Sequence, residues 1–470
     1  MSTQGKLTLR NYRCFDWEHP VVLEFDRGFS AFIGPNNSGK STALRSIYEL
    51  RQSFVSLPQA FQAGSGFRTN FQPLGTSDLA ELANDAAPSR FQIELEIINP
   101  QPAPDPSHSV ALKVVLEYDI LQQSLYAKQL VFMSPNGDKN HWGEAEVKLA
   151  QGNSGNFIVH YQNGTIIDYS GLREFGITLN ESKYFPAFRN AINEGAGNYY
   201  DLPVGTALVA TWDQWKAGNS RAQQNAISKV EKEIALLLGF NNLQINADQS
   251  GKTLNVNIDG RPQKLHEVGA GVAQLIIVLA AALVNRPPYI LIDEPELSLH
   301  PALQLSFLAT LGSYARYGLL YSTHSISLAR SSAQRIYAVR KISNGLSEIH
   351  PYGDKAINFG SWLGELSYSS RVDLGCEGLL LVEGTTEILC FQEYLRKLKK
   401  DHKYVLIQLG GSSLIRGGVT PHLSELSRII NPSKIRVFID SEKESADAPL
   451  ASDRVAFVTD CKGIGIKGHV

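Results

Sequence analysis

The sequence predicts an α/β protein with a larger N-terminal domain and a smaller C-terminal one, both containing parallel strands. Three observations predict it. Apolar residues 289–292 fit a strand buried on both faces, and two acids follow directly. A glycine-rich loop at residues 34–42 lies between an apolar strand and a helical segment. After residue 376, strand and helix patterns alternate with the rhythm of a parallel sheet.

The composition is that of a globular protein with no membrane segment. The hydrophobic share of the 470 residues is 43% and the net charge is −2, so any DNA contact must come from a local basic surface. The N-terminus lacks a signal-peptide core, and the longest apolar run, residues 275–284, is too short to cross a bilayer. Cys14, Cys376, Cys390 and Cys461 show no CxxC or metal-finger spacing. We therefore expect a cytoplasmic protein with reduced thiols.

The loop at residues 34–42, GPNNSGKST, has the spacing GxxxxGK[ST]. Its glycines let backbone N–H groups turn inward around a phosphate at the positive end of the following helix. The lysine then reaches the terminal phosphates, and the first hydroxyl binds Mg²⁺. An incidental glycine-rich turn is the alternative, but the flanking strand and helix favour a nucleotide site. Its predicted residues are Gly34, Asn36, Asn37, Gly39, Lys40, Ser41 and Thr42.

The strand at residues 289–292 ends in Asp293 and Glu294, at the edge where open α/β sheets place their chemistry. Asp293 is the predicted ligand of nucleotide-bound Mg²⁺, and Glu294 is the predicted group that polarises the attacking water. Taken alone, an apolar run ending in two acids is more often a strand that meets a solvated turn. The phosphate loop elsewhere in the chain favours the catalytic interpretation.

Residues 54–200 lack a regular helical pattern and predict a β-rich, partly irregular insertion. Alternating residues predict antiparallel strands, and Asn163-Gly164 predicts a hairpin turn. No sustained heptads occur in this region, which excludes a long coiled-coil arm. Arg189, after a predicted strand, either reaches phosphate or DNA or is a surface arginine. The predicted insertion strands are residues 91–98, 111–118 and 124–132.

Two further segments offer groups to an anion. Residues 266–274 are glycine-rich and lead into the apolar helix 275–284, where free N–H groups could face a phosphate. The alternative is a helix start that packs against a crowded neighbour. The apolar strand 318–322 stops at Thr323-His324-Ser325, and His324 could sense a γ-phosphate, although a lone histidine is usually a core or surface residue.

These four features, in this order, resemble the ABC-type ATPases, in the branch that contains SMC-like and OLD (overcoming lysogenisation defect) proteins. The resemblance covers residues 5–350 and implies a head-to-head homodimer that sandwiches two ATP molecules. It implies that the helix-start glycines are a signature motif, EVGAGVAQ here instead of LSGGQ, acting on the ATP of the other protomer. The residues it maps are Gly269, Gly271 and Gln274 in the signature, Asp293 and Glu294 in Walker B, Ser298 and His300 in the D-loop region, and His324 as the switch histidine.

The N-terminal segment LRNYRCF, residues 9–15, looks like a segment that lies near the nucleotide in this family. The resemblance therefore implies a nucleotide-side role for Arg13.

In the C-terminal module, acids follow predicted strands, so they are expected on one edge of a parallel sheet. Four carboxylates there would repel each other, and a divalent metal would remove the conflict and support phosphodiester cleavage. The alternative is an ordinary α/β domain with solvated acids. The four are Glu383, Glu387, Asp440 and Glu442.

The pattern VEGTTE, LGG, IDSE looks like a TOPRIM domain, and an ATPase followed by TOPRIM is the order of the OLD nucleases. The resemblance implies an ATPase domain at 1–350, a linker at 351–377 and TOPRIM at 378–470. It assigns Mg²⁺, or Mn²⁺, to the four acids, with Glu383 and Asp440 as catalytic groups. The usual DxD reads DSE here. Lys462 or Lys467 is the candidate phosphate-side lysine, and we expect a C-terminally shortened chain without the second-metal acid.

The leading hypothesis from sequence is therefore an ATP-regulated, Mg²⁺-dependent DNA endonuclease of the OLD type. The resemblance implies anti-phage defence, with phage or plasmid DNA as substrate and a retron reverse transcriptase with its msDNA, or a helicase, as partner. The alternative is a nucleotide-dependent sensor or scaffold with an inactive TOPRIM site. An SMC-type repair ATPase is disfavoured because heptads are missing. A primase or topoisomerase is disfavoured because zinc-ribbon cysteines and a candidate cleavage tyrosine are missing.

Overall fold

The computed structural model describes most of the 470 residues, and its contacts divide the chain into two compact units. The first unit comprises Met1–Ser30 and Ser41–Ser322, and the second comprises Ala31–Lys40 and Thr323–Val470. The residues outside the description are 1–3, 57–68, 71, 77, 144–150, 154–157, 161–163, 188–195, 343–344, 353–376, 384, 399, 401–402, 409–422, 425–426, 428–430, 442, 444 and 446–447.

Runs of consecutive strands occur in the first half of the chain, and strands alternate with helices elsewhere. The strands are β1 (Gly5–Arg10), β2 (Val21–Phe25), β3 (Gly28–Ile33), β4 (Thr69–Asn70), β5 (Arg90–Ile97), β6 (Ser109–Asp119), β7 (Ser124–Met133), β8 (Lys139–Trp142), β9 (Gln151–Asn153), β10 (Ile158–His160), β11 (Ile166–Asp168), β12 (Lys183–Phe185), β13 (Ala196–Tyr199), β14 (Leu202–Val204), β15 (Leu243–Ala247), β16 (Leu254–Ile258), β17 (Arg261–Lys264), β18 (Tyr289–Asp293), β19 (Gly318–Thr323), β20 (Arg335–Lys341), β21 (Ser347–Pro351), β22 (Gly378–Val382), β23 (Tyr404–Gln408), β24 (Ile435–Phe438) and β25 (Lys467–His469). The helices are α1 (Lys40–Glu49), α2 (Arg51–Val55), α3 (Ser170–Glu181), α4 (Gly205–Ala217), α5 (Arg221–Leu238), α6 (Ala270–Asn285), α7 (Pro301–Tyr314), α8 (Ile326–Ser332), α9 (Thr385–Lys397) and α10 (Ser452–Gly463).

A 10-stranded, mostly antiparallel sheet in the first unit joins the N-terminal strands to the predicted insertion. Its main path is β2-β1-β5-β6-β11-β10-β9, with β4, β7 and β8 added through β7. Strand β1 pairs with β5 along the whole length of β1, from Gly5 opposite Ile97 to Arg10 opposite Gln92. The β-rich region after residue 54 therefore extends the N-terminal sheet. Helix α3 also lies in this region, and the sequence pattern did not predict it.

A second set of strands in the first unit is parallel and buried. Strand β18 pairs with β12 on one side and with β19 on the other, in parallel register. All five residues of β18 and all six of β19 are buried, which explains why these strands show no alternation of apolar and polar residues. The amide of Gly28, at the start of β3, donates to the carbonyl of Tyr317 just before β19 (3.1 Å). The predicted buried strand before Asp293 is thus present.

Helix α6 is apolar on every side and almost entirely buried, from Ala273 to Leu283. Helix α5 is amphipathic and ends at Gly239, whose left-handed backbone (φ 71°) lets its amide cap the carbonyls of Ala235 and Leu236. No helix in the described ranges has the length and apolar character needed to cross a bilayer.

The second unit holds the end of β3, the phosphate loop and the C-terminal strands. The ring of Phe32 in β3 stacks on Tyr337 in β20, with centroids 5.0 Å apart, and β20 pairs with β21 in antiparallel register. Four C-terminal strands form a separate sheet in the order β23-β22-β24-β25, with every pair parallel. The small parallel α/β unit predicted from sequence is present. Helix α10 and strand β25, not predicted, complete it.

Candidate functional site

The phosphate loop is held by its own lysine. Lys40 is buried, and its Nζ donates to the carbonyl oxygens of Gly34 and Pro35, both at 2.8 Å. Asn37 and Gly39 have left-handed backbone angles (φ 57° and 103°), which curl the loop above the first turn of α1. The ammonium group thus lies inside the turn that the GxxxxGK[ST] spacing predicts around a phosphate.

Glycine is required at the entrance of this loop. A Cβ on Gly34 would lie 2.1 Å from the carbonyl oxygen of Val339 in β20. Ser38, in the loop itself, is buried, and its Oγ has no hydrogen-bond partner among the described residues. A buried hydroxyl without a partner is costly, and a phosphate oxygen in the loop would satisfy it.

Asp293, at the end of β18, is buried and surrounded by hydroxyl groups. The Tyr184 hydroxyl donates to its Oδ2 (2.5 Å), and the Ser322 hydroxyl donates to its Oδ1 (2.7 Å). The Ser41 hydroxyl, from the first turn of α1, acts on the same carboxyl and lowers its pKa. The two predicted Mg²⁺ ligands, Ser41 and Asp293, are therefore neighbours.

Burial raises the pKa of Asp293, and the hydrogen bonds from Tyr184, Ser322 and Ser41 oppose that rise. Burial also raises the pKa of Tyr184, and the neighbouring Asp293 carboxylate raises it further, so Tyr184 keeps its proton and remains a donor. The Tyr184 and Ser322 hydroxyls are neutral and the neighbouring Glu294 carboxylate raises the pKa of Asp293 further, so a divalent cation would supply the charge that these groups do not.

Glu294 follows in a left-handed backbone conformation (φ 45°), which is uncommon for a residue with a side chain. Its amide donates to the carbonyl oxygen and the hydroxyl of Ser322, both at 3.1 Å. This conformation turns the backbone at Glu294 away from the direction of β18, and the two hydrogen bonds fix its position. Such strained conformations occur disproportionately at functional sites.

The predicted signature segment starts helix α6. Gly269 is its N-cap, without a side-chain cap, and a Cβ on Gly271 would lie 2.5 Å from the carbonyl oxygen of Ser298. The Gln274 amide donates to the carbonyl oxygen of Pro295 (3.2 Å). The signature helix and the segment after Asp293 are therefore packed backbone to backbone, so the crowded-neighbour interpretation holds at Gly271. Gly269 is open, with nothing within 4 Å of its Cβ position.

The remaining predicted residues of the ATPase domain have definite positions. Thr42 is half-buried in α1, and His300 is exposed just before α7. His324 follows β19 directly, as predicted, and Ser325 then caps helix α8 through a hydrogen bond from the Leu328 amide (3.1 Å). Arg189 lies outside the described residues.

Arg13 contacts a carboxylate in the structure. Its guanidinium donates to both oxygens of Glu49 at the end of α1, at 2.7 and 3.1 Å. The Tyr12 hydroxyl and the Arg45 guanidinium contact the same carboxylate, which is buried. The described contacts of Arg13 thus join the N-terminal segment to α1. A nucleotide-side role for Arg13 stays a prediction.

In the C-terminal unit, two of the four predicted metal ligands meet. The amide of Asp440 donates to Glu383 Oε2 (2.9 Å), so the exits of β22 and β24 lie side by side. Glu383 Oε1 faces the buried guanidinium of Arg454 in α10 (3.3 Å). Among the described residues, no group of three or more His, Cys, Asp or Glu side chains could hold a metal ion. The expected cluster is thus not assembled by Glu383, Glu387 and Asp440, while Glu442 lies outside the described residues.

Lys462 lies in the last turn of α10, and Lys467 begins β25. Both side chains are exposed. The role of a phosphate-side lysine stays a prediction for either residue.

Three contributors to these sites were missed by sequence reasoning: Tyr184, Ser322 and Arg454. Tyr184 lies in the segment KYF, which was predicted as a strand, but pairing between β12 and β18 is a tertiary fact. Ser322 ends an apolar strand, next to the predicted His324, and could have been singled out as a polar residue at a strand exit. Nothing local marks Arg454, because its partner Glu383 is far away in the chain.

The phosphate loop, the buried lysine and the buried Asp293 near Ser41 define the class of protein: a P-loop ATPase with an α/β fold and ATP as its nucleotide. The chain belongs to the family described as "AAA domain, putative AbiEii toxin, Type IV TA system", whose model matches residues 29–330. A model described as "AAA domain" matches residues 6–48.

Two curated relatives are ATP-binding proteins. The peptidoglycan transport ATP-binding protein YejF of Agrobacterium fabrum is 27% identical over 128 residues, which cover 25% of this chain and 23% of that protein. An uncharacterised ABC transporter ATP-binding protein YejF of Escherichia coli is 27% identical over 157 residues, covering 28% and 29%. The chain therefore spans less than a third of the length of either relative.

Several solved structures with a likeness to this chain are SMC head domains. The SMC head bound to the C-terminal winged-helix domain of ScpA has a TM-score of 0.43 at 14% identity, over 76% of this chain and 99% of that one. The SMC head domain from Thermotoga maritima has a TM-score of 0.35 at 15% identity, over 75% and 100%. At TM-scores below 0.5, these likenesses do not define the fold.

Proposed function

We propose that this ATPase binds ATP with Mg²⁺ and hydrolyses it in a head-to-head homodimer, and that nucleotide state gates a DNA endonuclease in the C-terminal unit. The dimer would exist in two states, and bound ATP would favour one of them. The observation that carries the ATP part is the buried Lys40 inside the phosphate loop, with the buried carboxylate of Asp293 next to Ser41.

Each residue of the nucleotide site has a separate task. Lys40 exchanges the carbonyl oxygens of Gly34 and Pro35 for phosphate oxygens, and the loop amides share the negative charge. Ser41 and Asp293 would hold Mg²⁺, which when bound polarises the phosphate and offsets its charge. Glu294 accepts a proton from the attacking water and orients it. His324 would contact the terminal phosphate.

In the proposed dimer, the signature residues act on the ATP of the other protomer. Gly269 and Gly271 would present the N-terminal amides of α6, where the helix dipole favours an anion. Gln274 is held by Pro295, so the signature and the segment after Asp293 would move together.

The proposed endonuclease site is the edge where β22 and β24 end. Support comes from the parallel sheet order and from the hydrogen bond that joins Asp440 to Glu383. The described residues do not by themselves fit a metal ion, since Arg454 already faces Glu383 and no three-ligand group is formed. Metal binding at Glu383, Glu387, Asp440 and Glu442 therefore remains a proposal from the sequence resemblance.

The proposed setting is the bacterial cytoplasm, with phage or plasmid DNA as the substrate. The family description, which names a toxin of a toxin–antitoxin system, supports a defence role. A retron reverse transcriptase with its msDNA, or a helicase, is the proposed class of partner.

The decisive experiment is plasmid nicking with ATP and either Mg²⁺ or Mn²⁺. We expect the wild type to nick supercoiled DNA, Lys40→Ala to lose ATP binding and the ATP response, and Glu383→Gln to lose nicking while it still hydrolyses ATP. Glutamine keeps the shape of Glu383, which matters because truncation would leave Arg454 buried without its carboxylate.

A matched control is Glu377→Gln, since Glu377 directly precedes β22 but pairs with Lys403 instead of Arg454. It should nick like the wild type. ATP hydrolysis without nicking by the wild type, under either metal, would contradict the endonuclease and leave the ATPase.

A nucleotide-dependent sensor or scaffold is the second candidate, and the Glu383–Arg454 pair favours it. A buried arginine on the predicted catalytic carboxylate neutralises the edge without a metal. This candidate predicts ATP-dependent capture of a partner with no change in DNA topology.

A further inference from the structure

Tyr184 contacts Asp293 from a strand outside every nucleotide-binding motif discussed above. Strand β12 places Tyr184 opposite Leu291, two residues before Asp293 on the neighbouring strand β18. The phenol is buried, and its hydroxyl reaches Oδ2 at 2.5 Å. The Ser322 hydroxyl holds the other oxygen from β19. The carboxylate is thus clamped by one hydroxyl on each side of its own strand.

The backbone and ring of Tyr184 are themselves fixed. Its amide donates to Oδ2 of Asp201 (2.9 Å), and the Arg51 guanidinium binds both oxygens of Asp201 at 2.8 and 2.6 Å. Its ring packs edge-on against Tyr200, with centroids 5.2 Å apart. Arg51 belongs to α2, directly after the helix that carries Ser41. Tyr184 is therefore anchored to α2, which follows the helix that carries Ser41.

The three hydroxyls near Asp293 would have different roles when a nucleotide binds. Ser41 would itself hold Mg²⁺ in the proposed site. Ser322 and Tyr184 have no such second task, so they remain to orient the carboxylate. Charge-assisted hydrogen bonds of this kind are stronger than neutral ones and fix geometry.

We propose that Tyr184 is a positioning residue for Mg²⁺–ATP, which holds the Asp293 carboxylate in the orientation that accepts the nucleotide-bound cation. This inference rests on the proposed function, because it requires Asp293 to serve Mg²⁺. It concerns a side chain that no nucleotide-binding motif predicts. The ligand class is a divalent cation carried by a nucleoside triphosphate.

The test is calorimetric binding of a non-hydrolysable ATP analogue, once with Mg²⁺ and once with EDTA. The wild type should bind more tightly with Mg²⁺. Tyr184→Phe should keep the affinity measured in EDTA and lose at least about tenfold of the gain from Mg²⁺, since a hydrogen bond to a charged group is worth that much or more. A purely structural defect would lower the affinity for the ATP analogue equally with Mg²⁺ and with EDTA.

Tyr289→Phe is the matched control, because Tyr289 is buried at the opposite end of β18, the strand that ends in Asp293. It should retain the full gain from Mg²⁺. If Tyr184→Phe also retains the gain in affinity from Mg²⁺, the positioning role is wrong, even if the melting temperature of the variant falls. The proposed Mg²⁺ site would then stand without it. If the wild type itself gains nothing from Mg²⁺, the proposed Mg²⁺ site fails, and this inference fails with it.

Discussion

The Arg13 guanidinium and the Glu49 carboxylate form a two-point ion pair, with N–O distances of 2.7 and 3.1 Å and Glu49 almost fully buried. Arg13 has a left-handed backbone (φ 51°), which turns the N-terminal segment toward the end of α1. Glu49 at a helix C-terminus faces the negative end of the dipole, so cations from Arg13 and Arg45 are needed there. The pair therefore ties the first strand to the phosphate-loop helix.

Replacing Arg13 with methionine should lower stability more than it lowers ATP affinity. A buried carboxylate that loses one partner costs about 3 kcal/mol or more. We expect a lower urea midpoint and unchanged ATP affinity per folded molecule. Arg90→Met is the control: Arg90 is 56% exposed in its pair with Glu117, and its loss should cost about 1 kcal/mol or less. A selective loss of ATP binding in Arg13→Met would instead support the nucleotide-side role.

Glu117 in β6 should make stability depend on acid pH. Burial raises its pKa, but hydrogen bonds from Gln92, Lys128 and Tyr126 outweigh that and bring the pKa down to about 2. A carboxyl whose pKa is lower in the folded state stabilises the protein above its unfolded pKa, and the stabilisation disappears as pH falls through about 2. Glu117→Gln should cost about 2 kcal/mol at pH 7.

Urea unfolding at several pH values checks this prediction. The difference in unfolding free energy between wild type and Glu117→Gln should narrow once the pH drops below the ordinary glutamate pKa of 4.5. A gap that stays constant down to pH 3 would mean that packing, and not charge, gives Glu117 its effect.

The two signature glycines should respond differently to alanine. In Gly271→Ala the new Cβ would meet the Ser298 carbonyl oxygen at 2.5 Å, so one backbone must shift, at a cost of about 1–3 kcal/mol. In Gly269→Ala nothing lies within 4 Å. Melting temperatures of the two variants should therefore diverge. Equal melting temperatures would show that α6 and the Ser298 segment are not rigidly packed.

If Gly269 acts only on a partner's ATP, as proposed, then Gly269→Ala should leave monomer ATP binding intact. Its ATPase rate should then lose its rise with protein concentration. ATPase activity titrated against protein concentration measures this.

Arg454 and Glu383 should be coupled in stability. Arg454→Met leaves Glu383 next to an apolar group, and Glu383→Leu leaves a buried guanidinium, so each single change should destabilise the C-terminal unit by about 3 kcal/mol. The double variant should recover much of the loss, because neither charge then remains. A double-mutant cycle by urea unfolding measures the coupling. Additive losses would mean that the 3.3 Å contact carries no energy.

Much of the ATPase domain could be predicted because its signals are local. The GxxxxGK[ST] spacing, the apolar run before Asp293 and the cap at Gly239 each depend on residues close in the chain. The membership of a P-loop ATPase family agrees with these local signals.

The C-terminal unit was predicted less completely. Alternating strands and helices indicated a parallel sheet, which the structure contains, but the pattern after residue 450 gave no sign of α10 or β25. The acids at strand exits were predicted to gather around a metal, yet Glu383 meets an arginine from α10. Because helix α10 was not predicted, the arginine that it brings to Glu383 was not predicted either.

The chemical groups of the nucleotide site and their order in the chain follow from the sequence alone, because loop, strand and helix each depend on neighbouring residues. The partners of these groups follow from the tertiary structure. Tyr184 and Ser322 hydrogen-bond Asp293, Arg13 pairs with Glu49, and Arg454 pairs with Glu383. Strand pairing and burial bring distant residues together, and in a buried site the nearest neighbours set charge, orientation and proton affinity.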